Sequence, residues 1–109
     1  MLPIVDTHQH LWDTAQFSLP WLDGDGMDLL RKNHLMSDYL AAADGANIAK
    51  TVYMEVDVTP AQRVEEVEFA IGLCASDDNP MAGAVIGGSP GEEGFRAYID
   101  RFKDEDCIK

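Results

Sequence analysis

Two histidines separated by one residue form the segment of this sequence with the clearest chemical potential. They stand in Asp6-Thr7-His8-Gln9-His10, which follows the apolar start of a predicted strand. Side chains two residues apart in a strand share a face, so we expect Asp6, His8 and His10 to project together, with the imidazoles roughly 7 Å apart along the backbone. Imidazoles at that spacing can bind one divalent cation or one substrate oxygen. The pattern predicts His8 and His10 as metal ligands, with Asp6 in a supporting position.

A glutamate near the carboxyl end of a second predicted strand, Glu55, is the next candidate and is predicted to be catalytic. Alternation over residues 51–58 places Glu55 and Asp57 on the face opposite Val52 and Met54. We expect the valine-rich face to pack against helices and the acidic face to line a site. Glu55 could bind a metal, accept a substrate hydrogen bond or orient an imidazole. The alternative is an ordinary surface glutamate near a strand end.

Both tryptophans lie in a long connection of irregular pattern that runs from Leu11 to about Met36. Loops of that length usually carry function or are disordered. We therefore predict that Trp12 and Trp21 bind substrate above the site. The alternative is that they only anchor the loop.

Three strand-then-helix units position these residues. The predicted strands run from residue 3 to about residue 8 or 10, over residues 51–58 and over about residues 81–87, and a further strand is expected to start at Ile108. The helices are expected to start at the N-cap residues Ser37 and Thr59 and after a capping box at Ser89. Glu65, Glu66 and Glu68 of the second helix are expected to face solvent. Alternating strands and helices predict an α/β fold with a parallel sheet.

The opening segment resembles a known family of hydrolases. Residues 4–13, Ile-Val-Asp-Thr-His-Gln-His-Leu-Trp-Asp, are similar to the start of the amidohydrolase superfamily, in its amidohydrolase-2 branch. The continuation Phe17-Ser-Leu-Pro-Trp21-Leu resembles the sugar-lactone and dicarboxylate-lactone hydrolases of that branch, and the resemblance covers nearly all of the chain.

The resemblance implies a TIM (β/α)8 barrel, of which residues 1–109 would be the N-terminal portion with about three β/α units. It implies a hydrolase that opens a small lactone, or a related C–O or C–N bond, with activated water. His8 and His10 would bind a divalent metal, Zn before Mn, and later strands would supply further ligands and an acid-base aspartate. Metal-independent lactonases of the branch use the same histidines to position substrate.

Two other functional hypotheses remain open. Deoxyribonucleases of the TatD type and histidinol-phosphatase-like phosphoesterases also begin with a strand that carries two alternate histidines. Alternatively, 109 residues are too few to close a barrel of about 250 residues, and the chain would be a truncated, inactive fragment that associates with itself.

Composition narrows the partners and the compartment. Twenty acidic and eight basic residues yield a charge of −12, which argues against a nucleic-acid partner and leaves a small-molecule substrate. No apolar run approaches the roughly 18 residues of a membrane span, and no basic segment suggests a secretory signal, so the cytoplasm is expected. Cys74 and Cys107 lack a CxxC pattern, which excludes a zinc ribbon or a thioredoxin-type site. Cys74 is expected in the core, and pairing of the cysteines stays open.

Overall fold

The computed structural model describes all residues from 1 to 109 and contains a three-stranded parallel sheet with three α-helices. The strands are β1 (Ile4–Gln9), β2 (Ile48–Met54) and β3 (Met81–Val85), and the helices are α1 (Met36–Ala42), α2 (Arg63–Ala75) and α3 (Phe95–Phe102). The strand order is β1-β2-β3, and a parallel bridge between Ala84 and Ile108 continues it beyond β3. The predicted α/β class is confirmed, whereas three strands alone do not show a closed barrel. None of the helices is long and apolar enough to cross a membrane.

Strand β2 begins and ends earlier than the alternating pattern predicts. It stops at Met54, so Glu55 lies directly beyond the carboxyl end of the strand. The Glu55 N–H still donates to the Val85 carbonyl oxygen at 3.0 Å. Asp57 then adopts a left-handed conformation with φ of 52°, which turns the chain out of the sheet.

The two faces of β2 are the reverse of the expected arrangement. Thr51 and Tyr53 are buried, and the Tyr53 hydroxyl donates to Glu66 of α2 at 2.7 Å. Val52 and Met54, which were expected to meet the helices, are only half-buried. The pattern misleads because a tyrosine can pack against a helix when a buried acceptor receives its hydroxyl proton. A parallel sheet also has no obligatory polar face.

Two helix starts also differ from expectation. Helix α1 begins at Met36, because the Asp38 carboxylate accepts the Leu35 N–H at 2.8 Å and Ser37 therefore lies inside the helix. The turn at Ser89 does not open α3. That helix starts after Gly94, whose φ of 88° suits glycine.

The long first connection packs into the core instead of standing free of it. The core cluster has 12 buried residues. Five of them belong to this connection: Leu11, Trp12, Phe17, Leu19 and Leu22. The segment that holds both tryptophans is thus fixed by apolar burial against β2 and α2.

A disulfide joins Cys74 at the end of α2 to Cys107, which precedes the bridge at Ile108. The two Cα atoms are 6.1 Å apart and 33 residues apart in sequence. Closing a loop of this length lowers the entropy of the unfolded chain. We expect the Cys74→Ala/Cys107→Ala double variant to lose about 3 kcal/mol of unfolding free energy in urea. Reductant should destabilise the parent protein equally, and a parent protein that is insensitive to reductant would contradict the crosslink.

Candidate functional site

The two histidines of the opening motif converge at the carboxyl end of β1. Their Nε2 atoms lie 3.0 Å apart, and the ring centroids are separated by 4.8 Å. When two imidazole nitrogens bind the same divalent ion at about 2.1 Å, they lie roughly 3.0–3.4 Å apart for angles at the metal between 90° and 110°. Both side chains are exposed. The pair therefore fits half of a metal ligand set.

The orientation of His10 is set by strand β2. Its Nδ1 lies 3.0 Å from the Met54 carbonyl oxygen. Since a carbonyl only accepts, Nδ1 must carry the proton, and the Nε2 lone pair points toward His8. Histidines that bind a metal through one ring nitrogen commonly donate a hydrogen bond from the other nitrogen to a backbone carbonyl or a carboxylate.

A β-bulge separates Asp6 from the histidines. Asp6 pairs with Thr51 and Gln9 pairs with Tyr53, so β1 uses one more residue than β2 over this stretch. The Asp6 carboxylate accepts the His8 N–H at 3.0 Å and the hydroxyl of Tyr39 in α1 at 2.7 Å.

These bonds change the acidity of both partners. The hydroxyl of Tyr39 and the N–H of His8 lower the pKa of Asp6. Burial and the adjacent carboxylate raise the pKa of Tyr39 to about 12. Asp6 thus turns toward α1 instead of joining the imidazoles, and it supports the backbone at His8.

No third side chain completes a metal centre within residues 1–109. No group of three or more histidine, cysteine, aspartate or glutamate side chains is placed to hold a metal ion. The Glu55 carboxylate accepts the Asp57 N–H at 2.7 Å, and a Cβ at position 87 would lie 3.0 Å from its Oε2. Gly87 therefore leaves room for this carboxylate above the end of β3.

Four of the five predicted site residues line one open cleft of about 320 Å³. The lining consists of His10, Trp12, Trp21, Glu55, Val56 and Asp57. His8 stands outside this lining, beside His10. The structure thus brings together the predicted residues that follow β1 and β2 and those of the first connection.

The two tryptophans present carbon surface to this cleft. The Trp12 indole N–H donates to the Lys32 carbonyl oxygen at 3.0 Å, and that of Trp21 donates to Val56 at 2.7 Å. The rings meet edge to face, with centroids 5.4 Å apart and an interplanar angle of 84°. Because backbone carbonyls take both donors, the indoles also anchor the loop, as the alternative interpretation expects.

Glu66 is the residue near the site that sequence reasoning missed. It was expected in solvent, but only 3% of its surface is exposed. Its Oε2 accepts the Tyr53 hydroxyl at 2.7 Å and the Val56 N–H at 2.9 Å. Glu66 stands four and eight residues before Ala70 and Cys74, on one row of α2, and this spacing was the available signal.

Glu66 holds the segment that carries Glu55. The Glu66 carboxylate accepts the Val56 N–H, and the Val56 carbonyl oxygen accepts the Trp21 indole N–H. Burial raises the pKa of Glu66 above its ordinary value, although the bonds from Tyr53 and Val56 oppose that shift. Burial also raises the pKa of Tyr53, with the Glu66 charge adding to the effect.

The raised pKa of Glu66 should make stability depend on pH. Above about pH 4.5 the folded protein retains the Glu66 proton longer than the unfolded chain, so its unfolding free energy falls as pH rises through the folded pKa. Below about pH 4.5 both states are protonated, so the stabilising contribution of Glu66 is fully present and no longer changes with pH. We expect Glu66→Gln to remove this decline, which urea unfolding at several pH values would measure. Parallel pH profiles of the variant and the parent protein would contradict the assignment.

The comparisons with known proteins involve partial matches. No family model matches the sequence. The uncharacterized protein y4mH of Sinorhizobium fredii (strain NBRC 101917 / NGR234) is 29% identical in an alignment of 94 positions, which covers 79% of this chain and 31% of that protein. The solved structure of amidohydrolase 2 from Bifidobacterium longum subsp. infantis matches with a TM-score of 0.65 and 26% identity, over 82% of this chain and 34% of that one.

The chain spans about a third of the length of both proteins. The structural match does not extend to the lactone-hydrolase branch, which neither comparison supports. At this identity and coverage, the likeness to amidohydrolase 2 supports the assignment of the chain to the amidohydrolase superfamily.

Proposed function

We propose that this protein is a hydrolase of the amidohydrolase-2 type, in which His8 and His10 form the part of the active site contributed by the first strand. The observation that carries the proposal is the 3.0 Å approach of the two Nε2 atoms beside the cleft that holds Glu55. The likeness to amidohydrolase 2 supports the same class of chemistry.

The residues of this chain have separable roles in the proposed reaction. His8 and His10 would hold a divalent cation, Zn or Mn, which when bound polarises a carbonyl group and lowers the pKa of water. The Met54 carbonyl oxygen keeps the His10 ring in place. Glu55, held by the Asp57 N–H, accepts a hydrogen bond from substrate. Trp12 and Trp21 exclude water from one wall of the cleft.

The strand order supports a barrel as the setting for this site. The order β1-β2-β3, continued by Ile108, advances in one direction, whereas doubly wound sheets reverse around their first strand. In the proposed (β/α)8 barrel, residues 1–109 form the first three β/α units. The remaining metal ligands and the acid-base aspartate would come from later strands, outside these residues. We propose a small lactone as substrate, ahead of an amide.

A substrate panel tests this proposal. The protein is purified without chelator, its metal content is measured, and sugar lactones, dicarboxylate lactones and N-acyl amides are assayed. We expect bound Zn or Mn and turnover of a lactone. Absence of both bound metal and turnover would overturn the proposal. Release of phosphate or nicking of DNA with added Mg or Mn would favour the phosphoesterase hypothesis instead.

A further inference from the structure

The cleft beside His10 has an unusual combination of aromatic and acidic walls. Trp12 and Trp21 cross at nearly a right angle on one side. Glu55 and Asp57 also line the cleft, and no lysine or arginine is among the lining residues. The chain has no other tryptophan.

The hydrogen bonds of these walls restrict what they can recognise. Both indole N–H groups are taken by backbone carbonyls. Trp12 is only 7% exposed, so the half-buried Trp21 ring offers most of the aromatic surface to a ligand. The Asp57 N–H binds Glu55, which keeps the two carboxylates together at the rim. Without a bound metal, an anionic substrate would meet no lysine or arginine of this chain in the cleft.

Crossed tryptophan rings with carboxylates nearby suit a positively charged group. The negative face of an indole attracts a cation within about 6 Å, and quaternary ammonium groups are commonly bound by such aromatic walls. The apolar methyl groups of a quaternary ammonium also match the carbon surface of the rings. A volume of about 320 Å³ can hold an ammonium group together with a small ring.

We propose that the cleft takes a substrate with an alkylated or quaternary ammonium group close to the bond that is hydrolysed. The reaction in this inference rests on the proposed function. The positive charge of the substrate is inferred from the lining of the cleft alone. It disfavours dicarboxylate lactones and favours a lactone, ester or amide that carries the cation.

Three probes that share a trimethyl head group test the preference for charge. Choline, its neutral isostere 3,3-dimethylbutan-1-ol, and the anion 3,3-dimethylbutanoate are titrated while tryptophan fluorescence is recorded, with and without added Zn. Because both tryptophans line the cleft, fluorescence reports its occupation directly. We expect choline to bind roughly 3- to 30-fold more tightly than the neutral isostere, and the anion to bind weakest. Equal affinities, or a preference for the anion, would overturn the proposal.

Matched variants locate the effect. Glu55→Gln combined with Asp57→Asn should reduce the preference for choline over its isostere to the part that the indoles contribute, and asparagine tolerates the left-handed backbone at position 57. Asp77→Asn, an exposed acidic position after α2, should leave the preference unchanged. A preference that is unchanged in the double variant would contradict the proposed site.

The result of the binding test can be distinguished from the result of the hydrolysis assay. Binding is measured without turnover, so choline preference without any hydrolysis would refute the hydrolase and retain the cation site. Hydrolysis that depends on His8 and His10, without choline preference, would refute only the cation site.

Discussion

Replacing either His8 or His10 with alanine is expected to lower kcat/KM for the best substrate by at least about 100-fold and to abolish the proposed metal binding. Loss of a group that merely orients a ligand already costs 10- to 100-fold, and these two side chains are the proposed ligands themselves. Both rings are exposed, so their removal should cost little unfolding free energy. Elemental analysis and steady-state kinetics would measure the two effects together.

A neighbouring substitution serves as the control for the histidine variants. Thr7 lies between Asp6 and His8 on β1, and its side chain is exposed. Thr7→Val keeps a β-branched residue there and should retain both metal and activity. Full activity in both histidine variants would exclude the motif from the reaction.

Glu66→Ala is expected to lower the unfolding free energy by about 4 kcal/mol, because it leaves two buried donors without an acceptor. The donors are the Tyr53 hydroxyl and the Val56 N–H. The truncated side chain also leaves a cavity beside the core. Urea unfolding would measure the loss, and choline-dependent fluorescence would show whether the segment after β2 is displaced.

Two variants decide whether the effect belongs to this network. Glu65→Ala removes an exposed carboxylate from the adjacent position and should change stability by less than about 0.5 kcal/mol. Glu66→Gln keeps an acceptor oxygen and should recover most of the loss. If Glu66→Ala unfolds like Glu65→Ala, the carboxylate does not hold the segment that carries Glu55.

The sequence was most informative where chemistry and spacing are local. His8 lies in β1 and His10 directly follows its last residue, so the two side chains must lie near each other, and their Nε2 atoms are 3.0 Å apart. The strand-helix alternation predicted the α/β class and the parallel sheet, including the fourth strand position at Ile108. These features depend on neighbours within a few residues.

The positions of Asp6 and Glu66 could not be obtained in the same way. A bulge in β1 ends the simple alternation, so Asp6 meets α1 instead of the imidazoles. A glutamate is ordinarily a surface residue. Glu66 can be buried because the hydroxyl of Tyr53, thirteen positions earlier, donates a hydrogen bond to its carboxylate. Each case depends on a contact whose partner lies far from the residue in sequence or outside its own element.

The opening motif alone was enough to point to two paired imidazoles at the end of a parallel strand, since strand periodicity and residue chemistry act at short range. Tertiary packing decided which face of β2 meets α2, because that choice depends on whether a distant acceptor can satisfy a buried hydroxyl. It also decided that His10, Glu55 and both tryptophans share one cleft, since that requires three separate segments to converge. The charge of that cleft is therefore a property of the fold, although every side chain in it is visible in the sequence.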